Sequence, residues 1–405
     1  MFDDFAHYLS YGSTDQATMR DLTTRYDGLI VPGTIAAFQA EGTRGFVLSL
    51  SAAESKPYAI DPRSPLFQTQ LSAPKKSHSS LATLLGVDAE FGTKGWVPPE
   101  YWDDETAREC AVRWVNFNSA FTSVAPKAFD KYAKRLGRTL PIDDASGPRF
   151  ILAPYLAVDS AYVNAEGSSR LLWRASQHAA EDAGVSAKLR RVFAYEDPAD
   201  MATEVLGSGE REAVLWVSDL DEFSQINVPR WRQYVAAVRS LAVAEVKPFA
   251  LYGGYLSVVL RSVGLVGASH GVGFSEHRNH VELNSSGAAP ARYYSTTLHR
   301  YLAVDLASEL WRRDPELVVV QDGLADSRDP QEFTYHELMK HSVRSRSLEI
   351  AATSDYTIED HATELRDAHA TFVSKVEKYR WTPGLWKRIE ASSSHLPTWA
   401  SIASS

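Results

Sequence analysis

The sequence predicts an α/β protein: a (β/α)8 barrel of the TIM type, with a helical insertion after strand 2 and a C-terminal helical appendage. Three observations lead there. Short apolar, β-branched runs alternate with segments of helical period, the pattern of parallel strands joined by crossover helices. The runs are continuous rather than alternating, as expected of strands covered on both faces. Seven or eight such units fit within the 405 residues, with length to spare for additions. An open, doubly wound sheet is the alternative. No G-x-G-x-x-G follows the first run, which weakens a dinucleotide-binding version of it.

The runs, in order, are Gly28–Val31, Phe46–Leu50, Phe150–Ala153, Val192–Tyr195, Ala213–Val217, Phe249–Tyr252 and Leu265–Ala268. An eighth strand is expected at Arg292–Tyr294 or at Leu317–Val320. Between them, Trp231, Tyr234, Val235, Val238 and Leu241 recur at helical spacing after Pro229. Leu171, Leu172, Ala175 and Ala179 do the same, with Gly184 as a natural stop. The stretch 62–147 interrupts the rhythm and reads as an insertion, helical from about Asp104 to Leu136. Residues 1–322 are thus expected to form the barrel with its insertion, and 323–405 a helical region. There, Ile358, Ala362, Leu365, His369, Phe372, Val376 and Tyr379 form one helix seam after a capping-box-like start at Thr357. Trp386, Leu396 and Trp399 predict a docked C-terminus.

Charge and cysteine narrow the function classes. A formal net charge of -9 gives no global attraction to nucleic acid, though it leaves room for a local basic groove. The single cysteine, Cys110, rules out an internal disulfide framework and a cysteine-based zinc cluster. It is read as a buried, inert thiol and fits a reducing cytoplasm, the expected location. Met1-Phe2-Asp3-Asp4 lacks the basic and apolar regions of a signal peptide. The apolar stretch 249–268 is interrupted by Arg261 and divided by Gly253-Gly254, so it reads as strand, helix, strand and not as a membrane span. G-x-S-x-G, H-E-x-x-H and Walker signatures are missing, and no cofactor is expected.

In a barrel the chemistry sits at the C-terminal ends of the strands. That directs attention to Pro32-Gly33-Thr34, Asp61, Asp159, Glu196, Asp219–Glu222, Tyr252–Tyr255 and Ser269–His280. The last segment is the densest in polar groups, and Gly271 and Gly273 allow close backbone approach to a ligand. It is a loop for an anionic or polar substrate, or a solvated loop with incidental histidines. His277 and His280, beside Glu276, have a loose metal-ligand spacing, but no ligands come from other strand ends, and no metal is expected. Asp219 and Asp221 are either functional carboxylates or an acidic helix start. Glu196-Asp197 reads as a helix start. Arg292, Tyr294, His299 and Arg300 either clamp phosphate or belong to a strand-to-helix connection.

With these residues placed, the C-terminal half resembles the tRNA-guanine transglycosylase superfamily, including its DNA-modifying branch. The stretches that carry the resemblance are Tyr252-Gly253-Gly254, Gly264–His270 and Glu276-His277-Arg278-Asn279. His341-Ser342-Val343-Arg344 falls where the family has a histidine zinc ligand. Val31–Thr34 is similar to the family's first strand, and Asp61 with Phe67-Gln68 to its D-S-G-G-F-Q element. The family's nucleophilic Asp falls at Ser269 or His270, and the zinc cysteines are absent. The resemblance implies a zinc-free barrel glycosyltransferase exchanging a nucleobase through attack of a carboxylate on C1′. Asp61, Asp219 and Asp221 are then the candidate nucleophile or base, with His270 as the alternative acid/base. Gly253, Gly254, Ser269, Glu276, Arg278, Arg292, Tyr294 and His299 are the candidate substrate-binding residues. The implied partner is a nucleotide, nucleobase or nucleic acid. A catalytically dead barrel that binds such a ligand, and a hydrolase of a phosphorylated small molecule, are the competing expectations.

Overall fold

The computed structural model describes residues 4–71, 73–162, 164–273, 290–319 and 328–404. Twelve strands occur among them. They are β1 Ala6–Ser10, β2 Gly28–Pro32, β3 Tyr58–Asp61, β4 Ile151–Leu152, β5 Ala157–Val158, β6 Leu189–Arg190, β7 Val192–Tyr195, β8 Glu212–Val217, β9 Lys247–Ala250, β10 Gly267–His270, β11 Arg292–Ser295 and β12 Arg300–Ala303. Eight of these form one parallel sheet in the order β3-β2-β1-β10-β9-β8-β7-β5, curled into a half-barrel. Helices join successive strands, as parallel pairing demands.

The continuous closed ladder expected from the sequence is not formed. β3 and β5 are the edges, and the chain between them is broken at Pro154, which has no N–H to give a ladder. β4 pairs with β6 in a separate two-stranded sheet. A single backbone bond, Arg149 N–H to Tyr58 O at 2.9 Å, reaches β3 from this segment.

Two strands come from places that were not read as apolar runs. Ala6-His7-Tyr8-Leu9-Ser10 is buried throughout although polar atoms interrupt it, and Tyr58–Asp61 is short. The insertion therefore follows the third strand, not the second. Phe46–Leu50 is not a strand but the middle of the helix Ala40–Glu54. Arg292–Tyr294 is a strand, though in an antiparallel pair of β11 with β12 outside the main sheet. Leu317 ends a 3-10 turn, and residue 320 lies outside the described residues.

Alternation sorts the side chains of the sheet onto two faces. Ala6, Tyr8, Ile30, Ala59, Ala157, Ala194, Trp216 and Phe249 belong to a cluster to which no helix contributes, the concave side. Leu9, Leu29, Val31 and Ile60 meet the insertion helices on the convex side. Phe193, Leu215, Ala250 and Ala268 share a convex-side cluster with Leu365, Phe372, Leu396 and Trp399. The C-terminal helices Tyr335–Ala352, Ile358–Val376, Pro383–Ser393 and His395–Ala403 are thus packed on the sheet. The predicted seam of the second of them is buried at Ile358, Ala362, Leu365, Phe372 and Val376. Trp399 is fully buried and donates its ring N–H to Glu222 O.

Candidate functional site

Asp61 ends β3 two residues after Ala59, so its side chain lies on the concave face at the C-terminal rim of the sheet. It is fully buried. Tyr155 donates its hydroxyl to Oδ1 at 2.8 Å, the backbone N–H of Arg63 donates to the same oxygen at 3.0 Å, and Tyr252 donates its hydroxyl to Oδ2. A carboxylate has about four acceptor positions, so these three donors leave one. Burial first, and then the Asp61 charge, push the Tyr155 hydroxyl well above its usual range, which keeps it a proton donor.

Aromatic rings surround this dyad of tyrosines. Trp216 stands edge-on to Tyr252 at 5.4 Å and to Tyr155 at 6.0 Å. Trp216, Tyr252, Trp231, Tyr234 and Leu220 line a narrow slot with Gly253 at the ends of β8 and β9. Arg63 holds a left-handed backbone (φ 51°), a conformation that costs a non-glycine residue energy. Its guanidinium has no partner among the described residues and acts on Tyr155 by charge.

The other candidates distribute differently. Ser269 is on the concave face, but its hydroxyl is used by Leu251 O at 2.6 Å and by Ser10 at 2.9 Å. His270, the next residue, is on the convex face. Its Nε2 lies 3.1 Å from Ser257 Oγ, and its ring stands edge-on to His7 at 4.8 Å. Burial, then the neighbouring His7 and Arg346, hold His270 well below the usual histidine range. It is a neutral histidine between sheet and helix, and no contact joins it to Asp61.

Gly253 and Gly254 are close-packing positions. A Cβ on Gly254 would come within 2.6 Å of the Glu222 carboxylate, and one on Gly253 within 2.8 Å of Ser257. Glu222 is buried and accepts from Gly254 N at 2.9 Å, holding the start of the helix Tyr255–Leu260. Asp221 accepts from Phe223 N at 2.9 Å within its own turn. Asp219 has φ 55°, and its carbonyl accepts from Arg230 and Asn227. Among the described residues, no hydrogen bond joins Asp219 or Asp221 to Asp61, and both serve the loop's shape. Asp197 caps the helix Pro198–Ser208, as its position suggested.

Tyr294 and His299 belong to a second buried polar group behind the β11–β12 hairpin. His299 sits between Glu349 (Nδ1 to Oε1 2.7 Å) and Glu364 (Nε2 to Oε1 3.2 Å) and is stacked on Tyr255 at 3.9 Å. Burial pulls its pKa down, but Glu364 and Glu349 outweigh that and raise it to about 9. Tyr294 donates to Glu349 Oε2 at 2.9 Å, and Arg346 lies 3.3 Å from the same oxygen. Arg292 opens β11 and carries no resolved role at the concave face. Arg300 reaches the carbonyls of Ala391 and Ser392.

Glu276, His277, Arg278 and His280 lie outside the described residues. Among the described residues, no group of three or more His, Cys, Asp or Glu side chains is placed to hold a metal ion, and no helix is long and apolar enough to cross a membrane. His341 donates Nε2–H to Tyr294 O at 2.7 Å. Cys110 is fully buried, and burial pushes its thiol up, away from reactivity.

The sequence located Asp61 and the Tyr252–Tyr255 strand end. It did not point to Tyr155, Arg63 or Trp216 as a group. The only signal was Pro154-Tyr155 just beyond an apolar run, and Pro62-Arg63 just beyond Asp61. The sequence matches no protein-family model and no curated protein.

Proposed function

We propose that the chain is a nucleobase-recognising β/α barrel of the transglycosylase type, zinc-free, whose mouth is the concave rim at Asp61. The observation that carries this reading is the Asp61 carboxylate, buried at a strand end under two tyrosine hydroxyls and beside an aromatic slot. In this reading a flat heterocycle stacks on the aromatic rim at Tyr252, and its N–H edge suits the remaining acceptor position of Asp61. Arg63 supplies a cation for a phosphate or a carbonyl. The strands run in sequential order around the half-barrel, an order that supports a barrel ancestry for this reading. In the catalytic form of this reading, Tyr252 swings aside. An Asp61 oxygen then bonds to C1′ as the C1′–N bond breaks, and the leaving base takes a proton from water. The nitrogen of an incoming base bonds to C1′ as the C1′–O bond breaks, returning the carboxylate and giving its own proton to the hydroxide.

One observation favours a second reading, binding without turnover. Asp61 is fully buried and holds three donors, and among the described residues no second carboxylate or histidine is hydrogen-bonded to it. The test is calorimetric titration of nucleobases and nucleosides, with chromatographic assay of base release and exchange. Tyr252→Phe removes one donor from Asp61 and is expected to alter affinity about fivefold to tenfold, the worth of one hydrogen bond of roughly 1 kcal/mol. Asp61→Asn is expected to abolish exchange. Binding without exchange in the wild type selects the second reading. Absence of any binding overturns both.

A further inference from the structure

The helix Tyr335–Ala352 has two unlike faces. Leu338, Met339, Ser342, Val343, Ser345, Arg346 and Glu349 are buried. Glu337, Lys340 and Arg344 recur at steps of three and four and share one stripe, with Ser345 at its buried border. That stripe forms one wall of a cleft of about 260 Å³, closed on the other side by Arg328, Phe333 and Thr296.

Among the described residues, three cations line this cleft against one carboxylate, in a chain whose formal net charge is -9. The carboxylate is already engaged: Glu337 pairs with Arg328 at 3.0 Å and caps its own helix at Thr334. Lys340 leans on Asp21 at 2.6 Å. Arg344 is exposed and makes no ion pair or hydrogen bond with any described residue. Ser345 is buried, lines the cleft, and its hydroxyl has no hydrogen-bond partner among the described residues. The hydroxyl is open to the cleft, where it can donate to an acceptor oxygen that enters. The Arg328 guanidinium lies 4.4 Å from the Phe333 ring centre, which holds its plane and adds an aromatic wall.

We infer that this cleft binds the phosphoryl group of a nucleotide. A phosphate monoester carries nearly two negative charges and three strong acceptor oxygens, which match the cationic lining and the open Ser345 hydroxyl donor. Guanidinium groups are the usual partners of such oxygens. Phe333 gives the rest of the nucleotide an apolar surface. The site shares no residue with the Asp61 mouth, and the inference does not rest on the function proposed for that mouth.

The test is titration calorimetry of the full chain with inorganic phosphate, adenosine monophosphate and adenosine. Phosphate and adenosine monophosphate are expected to bind, and adenosine is expected not to displace phosphate. Arg344→Ala is expected to weaken both phosphorylated probes about tenfold, the worth of one charge-assisted hydrogen bond. Ser345→Ala is expected to weaken them severalfold. Because Arg344 is exposed and unpaired, its removal leaves the fold intact, checked by circular dichroism. Asp61→Asn is expected to leave phosphate affinity unchanged, which separates failure here from failure at the mouth. The inference is overturned if the wild type binds neither phosphorylated probe, or if Arg344→Ala titrates as wild type. Phosphate binding without adenosine monophosphate binding overturns the assignment to a nucleotide.

Discussion

His299 shows how a residue can be conspicuous in the sequence for one reason and placed for another. It stands in the run Arg292–Arg300, rich in groups that grip phosphate, yet it is clamped between Glu349 and Glu364 under the stacked ring of Tyr255. The partners come from two helices more than forty residues away, so no local spacing announces them. Asp61 stood out as a carboxylate before Pro62, with Phe67-Gln68 downstream, although the strand that it ends was not read. Tyr155 did not stand out, because its meaning depends on a break at Pro154 that only the folded ladder reveals. Replacing His299 by Gln leaves Glu349 buried with less positive charge beside it. A loss of about 3–5 kcal/mol is expected, the usual cost of removing one member of a buried pair, read as the drop in urea-unfolding free energy at pH 7. The same residue sets an alkaline limb. Its folded pKa of about 9 exceeds the unfolded value near 6.5, so its stabilisation is complete below pH 6.5 and is lost as pH rises through 9. Urea midpoints measured from pH 6.5 to 9 should fall in the wild type and stay nearly flat over that contribution in His299→Gln.

Among the elements, the helix Ala40–Glu54 marks where periodicity failed. Phe46-Val47-Leu48-Ser49-Leu50 is buried on every side, and a short run that is apolar all round carries no helical or strand period to separate the two. The flanks Ala40-Glu41 and Ala52-Ala53-Glu54 are good helix formers and decide the matter locally. β1 was missed for the opposite reason: His7 and Ser10 make it look polar, although tertiary packing buries it whole. This helix also carries two glycines with opposite expectations. At Gly45 a Cβ would meet the backbone oxygen of Ala128 at 2.7 Å, because the helix Pro126–Arg135 lies directly against it. At Gly42 the nearest atom is the Tyr132 hydroxyl at 3.7 Å, ordinary contact. Gly45→Ala must push the two helices apart and is expected to cost about 1–3 kcal/mol through overpacking, less the gain in helix propensity. Gly42→Ala keeps only the gain and is expected to stabilise by up to about 1 kcal/mol. Chemical denaturation of the two variants against wild type reads the signs directly; equal effects would show that the helix contact is looser than described.

At the scale of the whole molecule, one feature unites sheet, hairpin and C-terminal helices: histidines buried in the neutral form. His7 and His270 face the helix Tyr335–Ala352 from the convex side of β1 and β10, and burial followed by nearby charge holds His7 down to about 3 and His270 well below 6.5. His361, on the helix Ile358–Val376, is lowered by burial to about 4. His395, at the start of the last helix, is held well below its usual range by burial and by Arg300. All four are almost wholly buried. Each stays neutral in the folded chain and takes up a proton in the unfolded chain once the pH drops below about 6.5. The unfolded state then binds more protons than the folded one, so stability falls as pH falls. Each proton contributes at most about 1.4 kcal/mol per pH unit, and four together approach about 5.6 kcal/mol per pH unit between 6.5 and 4. Against a total stability of about 5–15 kcal/mol, that slope is expected to unfold the protein within about one to three pH units below 6.5. The His299 limb opposes it from the other side, so the stability maximum is expected near pH 6.5. Urea titrations in closely spaced buffers from pH 4.5 to 9 locate that maximum. Gln in place of His7 removes one proton from the acid limb and should lower its slope by about a quarter, leaving the alkaline limb untouched; an acid limb unchanged by that substitution would mean that the histidines on the convex side do not set it.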